Sequence, residues 1–245
     1  MFYEPDKDDH GLPFNPYKSI VIPRPVGWIS TLSRDGSTVN LAPYSQFNNL
    51  GYDPPYVMFS ANSFPGSGRR KDSVKNATDT GEFVVNMATY ELREAVNLTS
   101  QFVSPEIDEA ALAGLEMISS RIVKPSRVAA SPVHLECKFH CSLALPGNVS
   151  DQVHHVVIGR VVGVHIRDDA LTSEGKLDVL KIRPLARLGY FDYTTVESIF
   201  TMPPVGPNMG AREAGLEGRP RRRAGSQGQC TDSSPRGGGT PPEKV

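Results

Sequence analysis

The sequence contains few cysteines and no long apolar run. Only Cys137, Cys141 and Cys230 occur among 245 residues, and so sparse and odd a set argues against a disulfide framework. Mean hydropathy is −0.31, and no apolar run approaches the ~20 residues that a membrane-spanning helix needs. The N-terminal residues are acidic and polar, unlike a secretory signal. These features predict a soluble protein of the cytoplasm with no membrane partner.

An excess of charge of one sign is also absent. The chain has 26 Lys and Arg residues against 27 Asp and Glu residues, which gives a formal net charge of −1. This near balance argues against a polybasic nucleic-acid-binding protein. We therefore expect no nucleic-acid partner.

The signatures of several large enzyme classes are missing. No Gly-x-Gly-x-x-Gly follows a predicted strand, and the chain has no Gly-x-x-x-x-Gly-Lys-[Ser/Thr], Gly-x-Ser-x-Gly or His-Glu-x-x-His. These patterns mark dinucleotide-binding folds, P-loops, nucleophile elbows and zinc proteases. Their absence disfavours a Rossmann dehydrogenase, a P-loop enzyme and an α/β-hydrolase.

Composition changes near Pro204. Residues 204–245 hold nine glycines and six prolines, no Phe, Tyr, Trp or Ile, and seven basic residues against four acidic ones. Such a segment cannot bury enough apolar surface to offset chain entropy. The basic run at 219–223 has a second interpretation, a nucleic-acid or nuclear-import patch. Composition favours three parts: an N-terminal arm (1–17), one folded domain (18–203) and a disordered Gly/Pro/Arg-rich tail (204–245).

Strand patterns dominate the folded part. Asp35-Gly36 separates two apolar stretches and predicts a β-hairpin. Further strands are predicted at 56–61, 82–87, 133–145 and 154–166, and helices from Asp72, at 90–98 and at 105–113. Short strands, few helices and tight turns predict a mainly β protein, a barrel with flanking helices.

One spacing resembles a metal site, His134-x-x-Cys137-x-x-His140-Cys141. Tetrahedral zinc needs donors that converge on one point. On a strand, however, the cysteines share the parity of the apolar residues, and the histidines share the opposite parity. We therefore expect buried cysteines, outward-facing histidines and no metal.

A histidine pair opens the last long strand. His154 and His155 lie close in sequence to Asp151, and such a group can serve general acid–base chemistry. An ordinary hydrogen bond at a strand end is the alternative interpretation. We name His155 as the candidate catalytic residue.

A basic run precedes the first helix. Arg69, Arg70 and Lys71 lead directly into Asp72 and Ser73. A helix N-terminus offers unpaired N–H groups and a partial positive charge, and added cations favour an anion there. The pattern predicts a phosphate site, with a solvated basic loop as the alternative.

Four ordered motifs between residues ~18 and ~200 resemble the flavin reductase-like FMN-binding family, in its flavoredoxin and nitrilotriacetate-monooxygenase component B branch. They are RPVGWIST (24–31) with NLAPYSQF (40–47) and DPP (53–55), KDS with Asn76 followed by GEFVVN (81–86), the strand from HHVVIGRV (154–161), and PLARLGYF (184–191). The loop 66–70 and the residues after 204 depart from the family pattern.

The resemblance implies a split β-barrel that binds FMN non-covalently, works as a homodimer, and transfers a hydride from NADH or NADPH to the flavin. It also implies a partner, either an oxygenase that receives reduced flavin or an electron-transfer protein. The alternatives are an electron-transfer flavoprotein and a flavin-binding module without turnover, because fold does not fix function.

The resemblance further implies the site residues. The isoalloxazine and ribityl chain would contact Ser30, Thr31, Ala42, Pro43, Ser45, Phe47 and Ser60. The phosphate would contact Arg70, Lys71, Asp72 and Ser73, with Asp72 capping the helix. Trp28 would either stack on the flavin or fill the barrel.

Overall fold

The computed structural model describes residues 1–7, 10–149, 151–203 and 205–206. The chain divides into two units, Met1–Ile199 and Phe200–Val245. All helices and strands named below belong to the first unit. The predicted disordered tail lies outside the described residues, apart from Val205 and Gly206.

The first unit is built mainly of strands. They are β1 (Arg24–Pro25), β2 (Gly27–Leu32), β3 (Val39–Tyr44), β4 (Phe47–Tyr52), β5 (Pro55–Asn62), β6 (Glu82–Met87), β7 (Met117–Ile118), β8 (Arg127–Val128), β9 (Val133–Pro146), β10 (Val153–Ile166), β11 (Leu185–Gly189) and β12 (Asp192–Thr195). The α-helices are α1 (Asp72–Thr80), α2 (Arg93–Leu98), α3 (Glu109–Leu112) and α4 (Val179–Ile182), with 3₁₀ turns at Pro16–Ser19, Tyr90–Leu92 and Asp168–Ala170. The predicted mainly β class with flanking helices is confirmed.

Seven strands form one antiparallel sheet in the order β3-β2-β6-β9-β10-β5-β4. The predicted hairpin is its β2–β3 edge, where Ile29 pairs with Ala42. Gly36 has a φ of 78° in the turn, a conformation that glycine adopts without steric cost. Asp35 accepts hydrogen bonds from Ser33 and Ser37, and these bonds lower the pKa of Asp35 to about 2.

The sheet encloses an aromatic core. Phe59 and Phe83 are fully buried and meet edge to face, with ring centroids 5.4 Å apart. A Cβ on Gly159 would lie 2.3 Å from the Phe83 ring, so only glycine lets β10 pass this close. One end of α1 covers the same core through Val74 and Ala77.

Two element predictions need correction. The helix predicted at 105–113 begins only at Glu109, because the Asp108 side chain accepts the Ala111 N–H and so caps α3 at that point. The polar segment of β4 was missed, since Asn48, Asn49 and Gly51 have low strand propensity. Pairing with β5 makes it a strand.

Cys137 packs into the core with Leu135 and Phe139 as the alternation of β9 predicts, but the outward-facing position expected for the opposite face is wrong. His134 and Glu136 are buried, 4% and 0% exposed, because the segment 119–128 covers the face that was expected to meet solvent. An irregularity in the β9–β10 pairing between Phe139 and Cys141 shifts the register. Cys137 is therefore buried, whereas Cys141 is half-buried. Within the described residues, no cluster of three His, Cys, Asp or Glu side chains has metal-binding geometry.

Candidate functional site

A buried polar network lies beneath the start of α1. Asn40 on β3 is its centre, because its Oδ1 accepts hydrogen bonds from Ser73 Oγ at 2.6 Å and from Thr31 Oγ1 at 3.3 Å. Asn76 Nδ2, one turn along α1, donates to Thr31 Oγ1 at 3.2 Å. The structure thus brings together Thr31 and Ser73, two predicted site residues, and directs their hydroxyl groups at a residue that the prediction omitted.

Glu109 extends this network to α3. Its carboxylate accepts hydrogen bonds from Asn40 Nδ2 at 2.7 Å and from the Leu41 backbone N–H at 3.0 Å. The side chain is buried, and this burial raises the pKa of Glu109. The carboxylate therefore holds the N-terminus of α3 against β3.

Ser30 and Trp28 lie on the face of β2 that packs against α2 and the segment 119–128. Ser30 Oγ donates to the Ser126 carbonyl at 2.6 Å and accepts from Asn86 Nδ2. Trp28 is fully buried, and its indole N–H donates to Thr99 Oγ1 at 2.8 Å. Trp28 packs with Leu41 and Val96 in an apolar cluster separate from the one around Phe59 and Phe83, so it does not fill the barrel as one of its two interpretations predicted.

Lys71 holds an unusual position at the N-terminus of α1. Its ammonium lies 3.7 Å from the ring centre of Phe64 and 3.5 Å from that of Phe102. The Nζ atom is buried and has no hydrogen-bond partner among the described residues. Burial lowers the pKa of Lys71. Since a buried ammonium lacking an acceptor is costly, this position suits an anionic ligand.

The predicted helix cap needs correction. Lys71 is the N-cap residue of α1, no side chain caps the helix, and Asp72 is its first helical residue. The Asp72 carboxylate instead accepts a hydrogen bond from Arg69 Nη1 at 2.9 Å. The first N–H groups of α1 therefore carry no side-chain cap, a condition that favours a bound anion.

A cavity of about 90 Å³ adjoins Lys71. Five predicted residues line it together with several that the prediction missed: Asn40, Ala42, Pro43, Tyr44, Phe64, Lys71, Asp72, Ser73, Thr99, Ser100, Gln101, Phe102, Val103 and Glu109. Small-molecule sites commonly span ~300–1,000 Å³. The cavity as it stands accommodates only part of a flavin.

Three of the predicted residues outside this cavity lining lie near the β4–β5 edge. Ser45 is in the turn between β3 and β4, Phe47 begins β4, and Ser60 on β5 donates its N–H to the Gln46 carbonyl. Phe47 packs against Gly27, where any Cβ would lie 2.6 Å from the Phe47 ring. These residues form a second group at the β4–β5 edge.

His155 is placed near the basic loop. It is 8% exposed, and its Nε2 lies 3.5 Å from Ser63 Oγ. Burial and the charge of the exposed Arg70 lower the pKa of His155. The neighbouring His154 pairs with Asn62 at 2.7 Å.

Sequence reasoning missed Asn40, Glu109, Phe64 and Phe102. Asn40 stands within the motif NLAPYSQF, and a polar residue inside a predicted core strand is the signal that was available. Glu109 and Phe102 carry no local signal, because their roles depend on the path of residues 99–109 across β3 and α1.

Known proteins match this fold and sequence. The family model described as the flavin reductase like domain matches residues 19–193. An uncharacterised protein of Aquifex aeolicus is 38% identical over 170 residues, which span 69% of this chain and 83% of that protein.

Solved structures extend the comparison. Nitrilotriacetate monooxygenase component B from Bacillus cereus superposes with a TM-score of 0.75 at 27% identity, over 82% of this chain and 98% of that one. The FMN-binding protein from Thermus thermophilus has a TM-score of 0.61 at 16% identity, over 82% and 99% of the two chains; this second likeness shows the fold alone. The predicted split barrel and family resemblance are therefore confirmed. On the match over residues 19–193, the chain belongs to the flavin reductase-like domain family.

Proposed function

We propose that this protein binds FMN and reduces it with NADH or NADPH. Family membership supports a flavin reductase or flavoprotein role. The observation that carries the cofactor assignment is the buried, unpartnered ammonium of Lys71 at the uncapped start of α1. The Thermus thermophilus protein that shares this fold is named as an FMN-binding protein, and we propose the same cofactor here.

The residues at this end of α1 fit a phosphate. Lys71 Nζ supplies a positive charge, and the first backbone N–H groups of α1 supply donors. Ser73 is held by Asn40, so the network beneath α1 fixes the helix start that receives the anion. Arg70 is exposed and free to turn toward a second phosphate oxygen, as the sequence predicts.

The remaining predicted contacts concern the flavin ring and ribityl chain. Ala42 and Pro43 expose their strand edge to the cavity, and we propose that they and the group Ser45, Phe47 and Ser60 border the ring. Bound flavin accepts a hydride from a nicotinamide nucleotide. The protein contributes placement and the exclusion of water. We retain His155 as the candidate catalytic residue, because it is buried beside Ser63, at the end of β5.

We propose a homodimer as the working form. The cavity of about 90 Å³ is small for the whole cofactor, and large apolar side chains are exposed on the surface, among them Phe14, Phe191 and Tyr193. A second copy that covers such side chains would remove apolar surface from water. Light scattering of the purified chain tests this proposal, and a monomer in the presence of saturating FMN would refute it.

The physiological acceptor is proposed from a relative. The Bacillus cereus structure is a monooxygenase component, and we propose by analogy that this chain supplies reduced flavin to a partner oxygenase in the cytoplasm. Among the described residues, no helix has the length and hydropathy to span a membrane. The alternative function is an electron-transfer flavoprotein that retains its cofactor.

Stopped-flow reduction tests these functions. The purified protein is mixed with FMN, then with NADH or NADPH, with and without excess free FMN. Fast reduction with exchange of the flavin is the expected result. Tightly held FMN that neither nucleotide reduces would favour the electron-transfer alternative, and a protein that binds no FMN would refute the proposal.

A further inference from the structure

The segment from Ser100 to Ile107 is called the strap below, and its first four residues, Ser100–Val103, form one wall of the cavity beside Lys71. Both of its ends are anchored. Before the strap, Thr99 Oγ1 accepts a hydrogen bond from the buried indole of Trp28. After it, the Glu109 carboxylate accepts hydrogen bonds from Asn40 and from the Leu41 N–H.

Between these anchors, the strap makes only local hydrogen bonds. Ser100 and Gln101 donate their N–H groups to carbonyls of the preceding helix α2, and Ile107 donates to Ser104. Within the described residues, no hydrogen bond joins the strap to a residue outside 97–107. Side-chain contacts therefore hold the strap against the cavity. A segment without hydrogen bonds to the rest of the fold moves away from it with a small free-energy cost.

Those side-chain contacts are made to Lys71 and Phe64, beside the proposed phosphate site. The ring of Phe102 lies over Lys71 Nζ and meets the edge of Phe64 at 5.9 Å. The aromatic face of Phe102 thus lies where a phosphate would meet Lys71.

We propose that the strap is an autoinhibitory element, in which Phe102 holds the Lys71 ammonium until a phosphate-bearing flavin displaces it. This inference rests on the proposed function. A charge-assisted hydrogen bond to phosphate is stronger than a cation–π contact at a wet site, so the phosphate prevails. Phe102 is 77% exposed, and its departure from Lys71 breaks little other packing. Moving the strap also enlarges the cavity.

Limited chymotrypsin digestion tests the strap without flavin. Chymotrypsin cleaves after aromatic residues, so cleavage after Phe102, identified by mass spectrometry, reports strap opening. Lys71→Met keeps the aliphatic stem and removes the charge. We expect it to speed this cleavage about two- to fivefold, the range for an exposed cation–π contact. Lys75→Met is the matched control, because Lys75 lies on α1 and pairs with Asp79. Equal cleavage rates in all three proteins would overturn the inference.

Flavin association gives the second readout. Phe102→Leu keeps an apolar side chain without an aromatic face, and we expect FMN to associate about two- to fivefold faster with it than with the wild type. Riboflavin, which lacks the phosphate, should show a smaller change. Ile107→Ala, on the same strap, is the control and should match the wild type. Unchanged FMN association in Phe102→Leu would overturn the inference. If the wild type binds no FMN, the proposed function fails, and the digestion alone decides the role of the strap.

Discussion

At the scale of single residues, Lys71 provides a local positive charge in a domain whose net charge is negative. Residues 1–203 carry more acidic than basic side chains, and a phosphate of roughly −1.5 to −2 charge would be repelled by their net charge. Lys71 ends the run of three basic residues at 69–71 and lies at the start of α1. An anion at this point would therefore meet the charge of Lys71 and the partial positive charge of the helix N-terminus.

Lys71→Ala should weaken FMN binding by about 1.5–3 kcal/mol, the range for a hydrogen bond to a charged group. Riboflavin should lose little affinity, because it has no phosphate. Isothermal titration of both flavins to both proteins measures the difference, with Lys75→Ala as the charge-matched control on the same helix. Equal losses for FMN and riboflavin would mean that Lys71 supports the fold and does not contact the phosphate.

The two described cysteines should differ in reactivity. Cys137 is fully buried, and burial raises the pKa of its thiol, so little reactive thiolate forms. Cys141 is half-buried beyond the irregularity in β9. Timed alkylation followed by peptide mass spectrometry should modify Cys141 before Cys137. Faster modification of Cys137 in the folded protein would contradict the observed register of β9.

At the scale of elements, the carboxylate of Glu136 fixes the segment that covers β9. It accepts the backbone N–H groups of Arg121, Ile122 and Val123, and pairs with His165. Burial opposes its ionisation, but these hydrogen bonds prevail and lower the pKa of Glu136 to about 2. The same segment carries the Ser126 carbonyl that accepts from Ser30.

Glu136→Gln should lower the free energy of unfolding by about 1–3 kcal/mol at pH 7, because a buried set of N–H donors loses a charged acceptor. Since the folded pKa lies below the unfolded value, this stabilisation is complete above pH ~4.5 and declines as the pH falls toward 2. Urea titrations from pH 7 to pH 3 should show the wild type and variant converging. The exposed Glu174→Gln is the control; a difference between wild type and Glu136→Gln that stays constant with pH would contradict the assignment.

At the scale of the whole molecule, composition predicts that residues 206–245 add nothing to the core. Removing them should leave both the melting temperature and the FMN affinity unchanged. Differential scanning calorimetry and isothermal titration of the full and shortened chains measure this. A fall of more than a few degrees in melting temperature would show that the segment packs on the folded domain.

The sequence by itself determined what depends on local pattern. Alternating apolar residues and Asp35-Gly36 specify the β2–β3 hairpin, and the basic run before Asp72 marks the start of α1. Four motifs in the same order along the chain predicted the family, because together they span the whole folded domain and not a single element. Charge balance and composition set the broad class.

The tertiary structure decided what depends on distant segments meeting. The covering segment 119–128 buries His134 and Glu136, although strand parity places them outward. Glu109 reaches Asn40 across 69 residues, and Phe102 reaches Lys71 across 31. Such contacts leave no periodic signal, since each partner is chosen by the path of the chain and not by its neighbours in sequence. Pairing with β5 likewise makes a strand of the polar residues of β4, because a neighbouring ladder supplies the hydrogen bonds that weak local propensity does not.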